Sequence, residues 1–436
     1  MDWTKEQILG LAPDHFTLRA GLGVATPQKW IALHHAQATC WGLFPISRQK
    51  TVETAVFLPN FAYTCSCNSR KAPCRHVLGL LLLWQQAPQK FTNLPLPAAL
   101  TVWVKQEQHL RQPTTAANGR FPKSHPSPQK MNQLLAGLNE LELWLLDMVR
   151  HGLASLPERP KTYWGTMANR LVDAQANDLA QTVRQLANIP SSQPDWPETL
   201  LQQIGRLYLI IQGFQRFAQL PPPVQADLQT AVGWLPQTTN KANIISDNWL
   251  VLGRQQEIVG KQTRHITWLW GQNSQMIAQL IDLPAVGTLE GSALATNSLW
   301  QGSLRLLPGS WPLGAVRHGR LQTSAAPVQP IGYQTIRAAS QTHNEALAAN
   351  PWLTQFPMLL HNTQPSQTET GWQLLDATGT SLPLPPKYAY GWHLAAIAGN
   401  RPSLSLFGVW NGRFYHPLSV NIQQTWQDIH IWRGVK

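Results

Sequence analysis

Three of the chain's four cysteines and one histidine fall within twelve residues, CSCNSRKAPCRH, as Cys65, Cys67, Cys74 and His76. Cys65 and Cys67 are two apart, so in extended backbone both sulfurs face the same side. The six residues between Cys67 and Cys74 are enough to loop back, and Pro73 stiffens the return. Three thiolates and one imidazole make a tetrahedral donor set suited to one zinc ion, with bonds of about 2.3 Å to sulfur and about 2.0 Å to nitrogen. Soft sulfur donors disfavour magnesium and calcium. Four protein ligands leave no open position, so the expected role is structural, supplying on the order of 10 kcal/mol to folding. Three thiolates around a dication leave a net charge near −1. Arg70, Lys71 and Arg75 can offset it together with the N-terminus of the following helix. Contact with phosphates is the other role open to these cations.

Other chemistry is not visible. The sequence contains no phosphate-binding glycine loop, dinucleotide fingerprint, HExxH helix or GxSxG elbow. His34 and His35 are adjacent, so their side chains diverge on a strand or a helix, and both read as surface or capping residues. Glu140 and Glu142 read as solvated helix positions. Nothing here points to an enzyme or to a small-molecule substrate.

The elements that must position the four ligands come next. Lys29–Leu33, Ala38–Phe44 and Thr51–Pro59 have strand character. A helix is expected from Pro73-Cys-Arg-His to about Trp84, with Pro88 beyond its end. Residues 1–103 read as an N-terminal domain and the polar, Pro-containing, basic stretch 104–126 as a linker. Residues 127–236 read as a helical bundle. Ser127-Pro128 looks like an N-cap followed by proline at the first helical position. Leu134, Leu138, Leu141, Leu145 and Met148 step by 4, 3, 4 and 3, as do Leu200, Ile204, Leu207, Ile211 and Phe214, which places each set on one helix face. Leu171, Leu179, Val183 and Leu186 read as one further amphipathic helix. In residues 240–436 the helical stripes vanish, and an antiparallel β-rich domain is expected, barrel or sandwich being open. Asn411-Gly412 between aromatic flanks predicts a hairpin.

Only 13% of the 436 residues are charged, and tryptophan is over-used, with 20 copies. Most of these rings are expected to fill cores, although tryptophan is also frequent at interfaces. The formal net charge is +12, and residues 1–130 hold fourteen Lys and Arg against five acids, a surplus of +9. That surplus suits a polyanionic partner, DNA or RNA, or serves only solubility. The opening residues are polar and acidic where a secretory signal would be basic and then apolar. The densest apolar run, Val77 to Trp84, is eight residues, where a bilayer span needs about 20. A cytoplasmic protein with reduced thiols, without a membrane partner, is the expectation.

Cys-x-Cys followed by Cys-x-His before an apolar helix resembles the SWIM zinc finger. The resemblance extends over Cys40-Trp-Gly42 and Ala62 to Trp84 specifically, and over Gly137 to Asp147 and Arg170 to Gln175 loosely. Together these look like bacterial SWIM zinc finger family proteins. The resemblance implies a multidomain α+β chain with a ββα zinc module at about 40–85, a helical bundle segment and the C-terminal antiparallel β-rich domain. It implies Cys65, Cys67, Cys74 and His76 as the ligands of one structural zinc, with Cys40 outside the set. It also implies binding of DNA or protein. For nucleic acid the contact candidates are Arg48, Lys50, Arg70, Lys71 and Arg75, and Trp41 and Tyr63 either stack on bases or pack in the core. For protein, the implied role is an adaptor in an assembly with a MoxR-type AAA ATPase and von Willebrand A-domain partners.

Overall fold

In a computed structural model, residues 3–47, 50–59, 62–69, 71–109, 127–192, 195–234, 243–259, 262–282, 291–292, 294–324, 329–399, 401 and 403–429 are described. The chain opens with α1 (Lys5–Gly10), held by a capping box between Thr4 and Gln7, and α2 (His15–Val24), capped by the Asp14 carboxylate on Thr17 N–H. Strands β1 (Ala32–Ala36), β2 (Thr39–Ser47), β3 (Lys50–Phe57) and β4 (Ala62–Cys65) form an antiparallel meander, followed by α3 (Arg75–Gln86). The last two strands and the helix are the expected ββα unit. The meander does not stop at the finger. β5 (Thr92–Asn93) pairs with β1 in parallel, and the two-residue strand Gly291–Ser292, more than 220 positions away, pairs with β4.

α3 buries His76, Val77, Leu78, Gly79, Leu80, Leu81, Leu82 and Leu83. It crosses α2 closely because both carry glycine at the contact: a Cβ at Gly21 would meet Leu78 Cβ at 2.9 Å, and one at Gly79 would overlap Val24. The core around α3 joins Ile8, Leu11, Trp30, Phe44 and Val56 with the cysteines 65, 67 and 74, and also takes in Ala295. The basic linker read from residue 104 opens on helix: α4 (Ala98–His109) carries the chain past that point, with Leu100, Trp103 and Val104 packed on Trp41 and Phe57. Apolar positions 100, 103 and 104 continue a helical stripe that polar composition hides. Residues 110–126 lie outside the described residues.

The second region is α5 (Pro128–Arg150), α6 (Lys161–Asp173), α7 (Asn177–Leu186) and α8 (Trp196–Gln215), with α9 (Pro222–Ala231) packed on α8. Ser127 caps α5 through Lys130 N–H, with Pro128 at the first position. Both 4, 3, 4, 3 stripes are buried in one core. The helix read from Leu171 to Leu186 is two helices. Gln175 turns left-handed (φ 59°) between them, so Leu171 and Leu179 approach the core from separate elements. Glu140 is half exposed, as read, and Glu142 is partly covered; both have partners. Glu140 pairs with Arg170 at 2.7 Å, and Glu142 accepts from the Gln212 and Gln215 amides, both at 3.0 Å.

The third region resolves into two sheets. β6 (Ile244–Val259), β7 (Gln262–Gly271), β8 (Ile277–Asp282), β10 (Leu299–Leu306) and β11 (Gly314–Ser324) close a five-stranded barrel, β9 being the Gly291–Ser292 strand. All its pairings are antiparallel except β8 with β11. β12 (Phe356–Thr368), β13 (Gly371–Asp376), β14 (Ser381–Pro383), β15 (Leu404–Trp410), β16 (Tyr415–Ile422) and β17 (Thr425–Asp428) form an antiparallel sheet. This region also contains two helices, α10 (Ile336–Ala349) and α11 (Gly391–Ala398), where only strands are expected from the sequence. On α10 the buried positions Ile336, Ala339, His343 and Ala346 step by 3, 4 and 3, a stripe masked by its small and polar members. Alternation along β6 sends Trp249 and Val251 into the barrel, while Leu250 and Leu252 meet Phe407, Val409 and Trp426 of the sheet. Trp164, Trp249, Trp268 and Trp300 are fully buried, as expected for rings that fill cores. The Asn411-Gly412 hairpin is present with a four-residue loop. Trp410 pairs with Tyr415, Gly412 takes φ 90°, and Asn411 Oδ1 accepts from Arg413 and Phe414 N–H.

Polar contacts lock these regions together. Arg264 of the barrel makes a bidentate pair with Asp178 of α7, and Arg413 reaches Asp195 and Thr199 of the bundle. Arg206 of α8 donates to the Trp352 and Leu353 carbonyls, and Arg254 to the Gly10 carbonyl. No described helix is long and apolar enough to cross a membrane.

Candidate metal centre

Cys65 is the last residue of β4, where its Cα pairs with Thr54 of β3. The next residue turns away: Ser66 N–H donates to Glu53 O, and Ser66 Oγ accepts from Glu53 N–H at 2.9 Å. Extended geometry therefore returns Cys67 to the side of Cys65. Cys74 occupies the N-cap of α3 with extended backbone (φ −79°, ψ 170°), and His76 lies in the first helical turn. The helix start aims both donors back at the strand end.

The donor atoms of Cys65, Cys67, Cys74 and His76 all lie within 4.8 Å of one another, and all four residues are buried. His76 Nδ1 is 3.9 Å from both Cys65 Sγ and Cys74 Sγ. A tetrahedral ion with zinc bond lengths sets sulfur–nitrogen separations of roughly 3.5 Å and sulfur–sulfur separations of roughly 3.8 Å. The two sulfur–nitrogen distances exceed this by about 0.4 Å and no donor separation exceeds 4.8 Å, so zinc fits with a contraction of at most about 1 Å. The cluster is the one group of three or more metal-ligating side chains found among the described residues. Cys40 is fully buried on β2 between His35 and Val56, outside this group, and burial pushes its thiol up.

The thiols show why a cation belongs here. With no ion between them, Cys74 is pulled down to about 4, chiefly by the hydrogen bond from Cys65, with His76 also contributing. Cys65 is pushed up by that same hydrogen bond and by burial, and Cys67 by burial first. Holding three thiolates in a space this small and dry requires a compensating cation.

Among the cations expected to serve the site, Lys71 pairs with Asp14 at 2.5 Å and so ties the loop to the cap of α2. Arg75 Nε lies 3.3 Å from His76 Nε2. When Nδ1 binds a metal, Nε2 carries the ring proton. Two N–H donors then face each other, so loading releases this contact. Lys50 is exposed at the start of β3. Arg48 and Arg70 lie outside the described residues. Of the two readings of Trp41 and Tyr63, core packing holds: they are 3% and 6% exposed and sit in apolar clusters. The His34 and His35 rings are neither ligands nor caps. They lie on opposite sides of β1 against Trp41 and Trp84, at 5.6 and 5.5 Å.

Beside the ligands is a pocket of about 410 Å³ that the sequence reading missed. Its lining includes Cys67, Cys74 and His76 together with Phe16 of α2 and Ile46 of β2. Phe16 and Ile46 are separated by thirty positions and share no periodicity, so no local pattern marks them.

Residues 56–85 match the family model of the SWIM zinc finger, and residues 129–232 match that of the SWIM-associated four-helix bundle domain. No curated protein and no solved structure matches the chain. Strands, helix start and donor set agree with the first match, and α5 to α9 fill the second. The chain therefore carries a SWIM zinc finger with Cys65, Cys67, Cys74 and His76 as its Cys3His set, followed by a SWIM-associated four-helix bundle domain.

Proposed function

We propose that this protein is a non-enzymatic, cytoplasmic adaptor whose zinc finger presents a surface to a protein partner. The observation that carries this reading is the distribution of apolar side chains around the metal centre. Trp41 and Tyr63 are buried, whereas Phe16 (76% exposed) and Ile46 (48% exposed) stand open beside the ligands. Clustered exposed apolar groups favour a protein contact. The zinc, with four protein ligands, holds that surface in shape and offers no position to a substrate. The bundle and the two sheets extend the platform. A MoxR-type ATPase and a von Willebrand A-domain protein are the partners to test first.

The test is affinity capture from the native host with the full chain, beside a Cys74→Ala chain that cannot hold the metal. Recovery of an ATPase or A-domain protein on the first and not on the second supports the adaptor. Recovery of nucleic acid alone counts against it. The second reading, binding of DNA or RNA, is favoured by the +9 surplus in residues 1–130 and by exposed Lys50. It expects retardation of duplex DNA, single-stranded DNA or RNA that weakens steeply with salt.

A further inference from the structure

Resting on the adaptor reading, we propose that the pocket beside the metal centre is a peptide-docking site. It takes one bulky apolar side chain from a partner segment whose flanking residues are acidic. Its volume, about 410 Å³, falls in the range of binding pockets (about 300–1,000 Å³) and has room for an aromatic or leucine anchor. Phe16 and Ile46 form apolar walls on separate elements, and Ala20 lies one turn along α2 from Phe16. Anchors of this kind carry most of the binding energy in protein contacts, while the charged rim selects the partner.

Charge names the flanks. The lining contains Lys71 and Arg75 and no carboxylate. Lys71 is neutralised by Asp14 at 2.5 Å, so the unpaired positive charge of the lining is that of exposed Arg75. Exposed Arg19 lies one turn from Phe16 on the same helix. A partner with basic flanks would meet repulsion here, and acidic flanks would meet attraction. Aliphatic Ile46 beside Phe16 in the lining suits an apolar side chain, and a base stacked on the Phe16 ring is the competing outcome that the experiment separates. Cys67, Cys74 and His76 belong to the lining, so docking depends on the metal.

The experiment pans a random twelve-residue peptide library against the zinc-loaded full chain. Synthetic versions of the selected peptides are then measured by fluorescence anisotropy on wild type, Phe16→Asp and Ile46→Asp. Both side chains are exposed, so the variants are expected to fold. Unchanged zinc content and thermal midpoint verify this. The expected result is peptides with one aromatic or leucine residue among Asp and Glu. Anchor-to-Ala peptides and both protein variants should bind at least tenfold more weakly, and acid-to-amide peptides several-fold more weakly. Selected peptides that bind the variants as well as wild type would overturn the pocket and leave the adaptor reading standing. Failure to enrich any peptide overturns the pocket as well. If labelled DNA or RNA binds wild type and is lost in Phe16→Asp, the adaptor reading falls with it.

Discussion

Removing the metal should melt the finger and spare the bundle. α3 is twelve residues long and buries Val77, Leu78, Leu80, Leu81, Leu82 and Leu83. At about 2.5 kcal/mol for each such side chain, burial contributes about 15 kcal/mol. Ordering twelve residues costs about 18 kcal/mol at roughly 1.5 kcal/mol each. The two nearly cancel, so the coordination energy, on the order of 10 kcal/mol, decides whether α3 stays docked on the sheet. The bundle has a core of its own that includes none of the cysteines. The assay is amide hydrogen exchange with and without a strong chelator, with zinc content measured on the same samples. Amides of residues 62–86 should lose protection by orders of magnitude on zinc removal, while α5 and α8 keep theirs. Full protection of α3 in metal-free protein would refute the reasoning. Loss of protection in the bundle to the same degree would also refute it, since that would make the two cores one cooperative unit.

Cys67→Ala should abolish zinc binding, whereas Cys40→Ala should keep one zinc per chain and cost about 1–3 kcal/mol as a core truncation; metal analysis and urea denaturation separate the two. Gly79→Ala should destabilise the N-terminal region by about 1–3 kcal/mol, because the added methyl overlaps Val24 where α2 crosses α3; a differential-scanning trace reads this as a lowered first transition. Asp247 accepts from Asn248, Asn273 and Ser274. Burial pushes its carboxyl up, but these hydrogen bonds outweigh it and hold it below the usual carboxylate range. Its stabilisation is therefore complete above the unfolded value, about 3.9, and is lost as pH falls through the lower folded value; urea midpoints across that acid range should slope less in Asp247→Asn. Arg264→Ala, which removes a partly buried bidentate pair with Asp178, should cost about 1–3 kcal/mol. Arg413→Ala, whose partner Asp195 is 59% exposed, should cost about 0–1 kcal/mol; chemical denaturation of both variants ranks them.

The sequence by itself determined what is encoded locally. Four donors within twelve residues need only a strand end, a loop and a helix start to meet, and those three carry local signals. The 4, 3, 4, 3 leucine stripes name a helix face whatever it packs on, so the bundle's core on α5 and α8 was legible, as was the Asn411-Gly412 hairpin. Tertiary structure alone decided the rest. Whether strands close a barrel depends on pairings such as β8 with β11, which no period-two pattern specifies. The Gly291–Ser292 strand joins the finger's sheet through backbone hydrogen bonds, to which side-chain patterns are silent. The pocket exists because α2 and the β2 strand bring Phe16 and Ile46 beside the zinc ligands. Exposure of a side chain belongs to the packed chain, since the same phenylalanine would be buried had another element covered it.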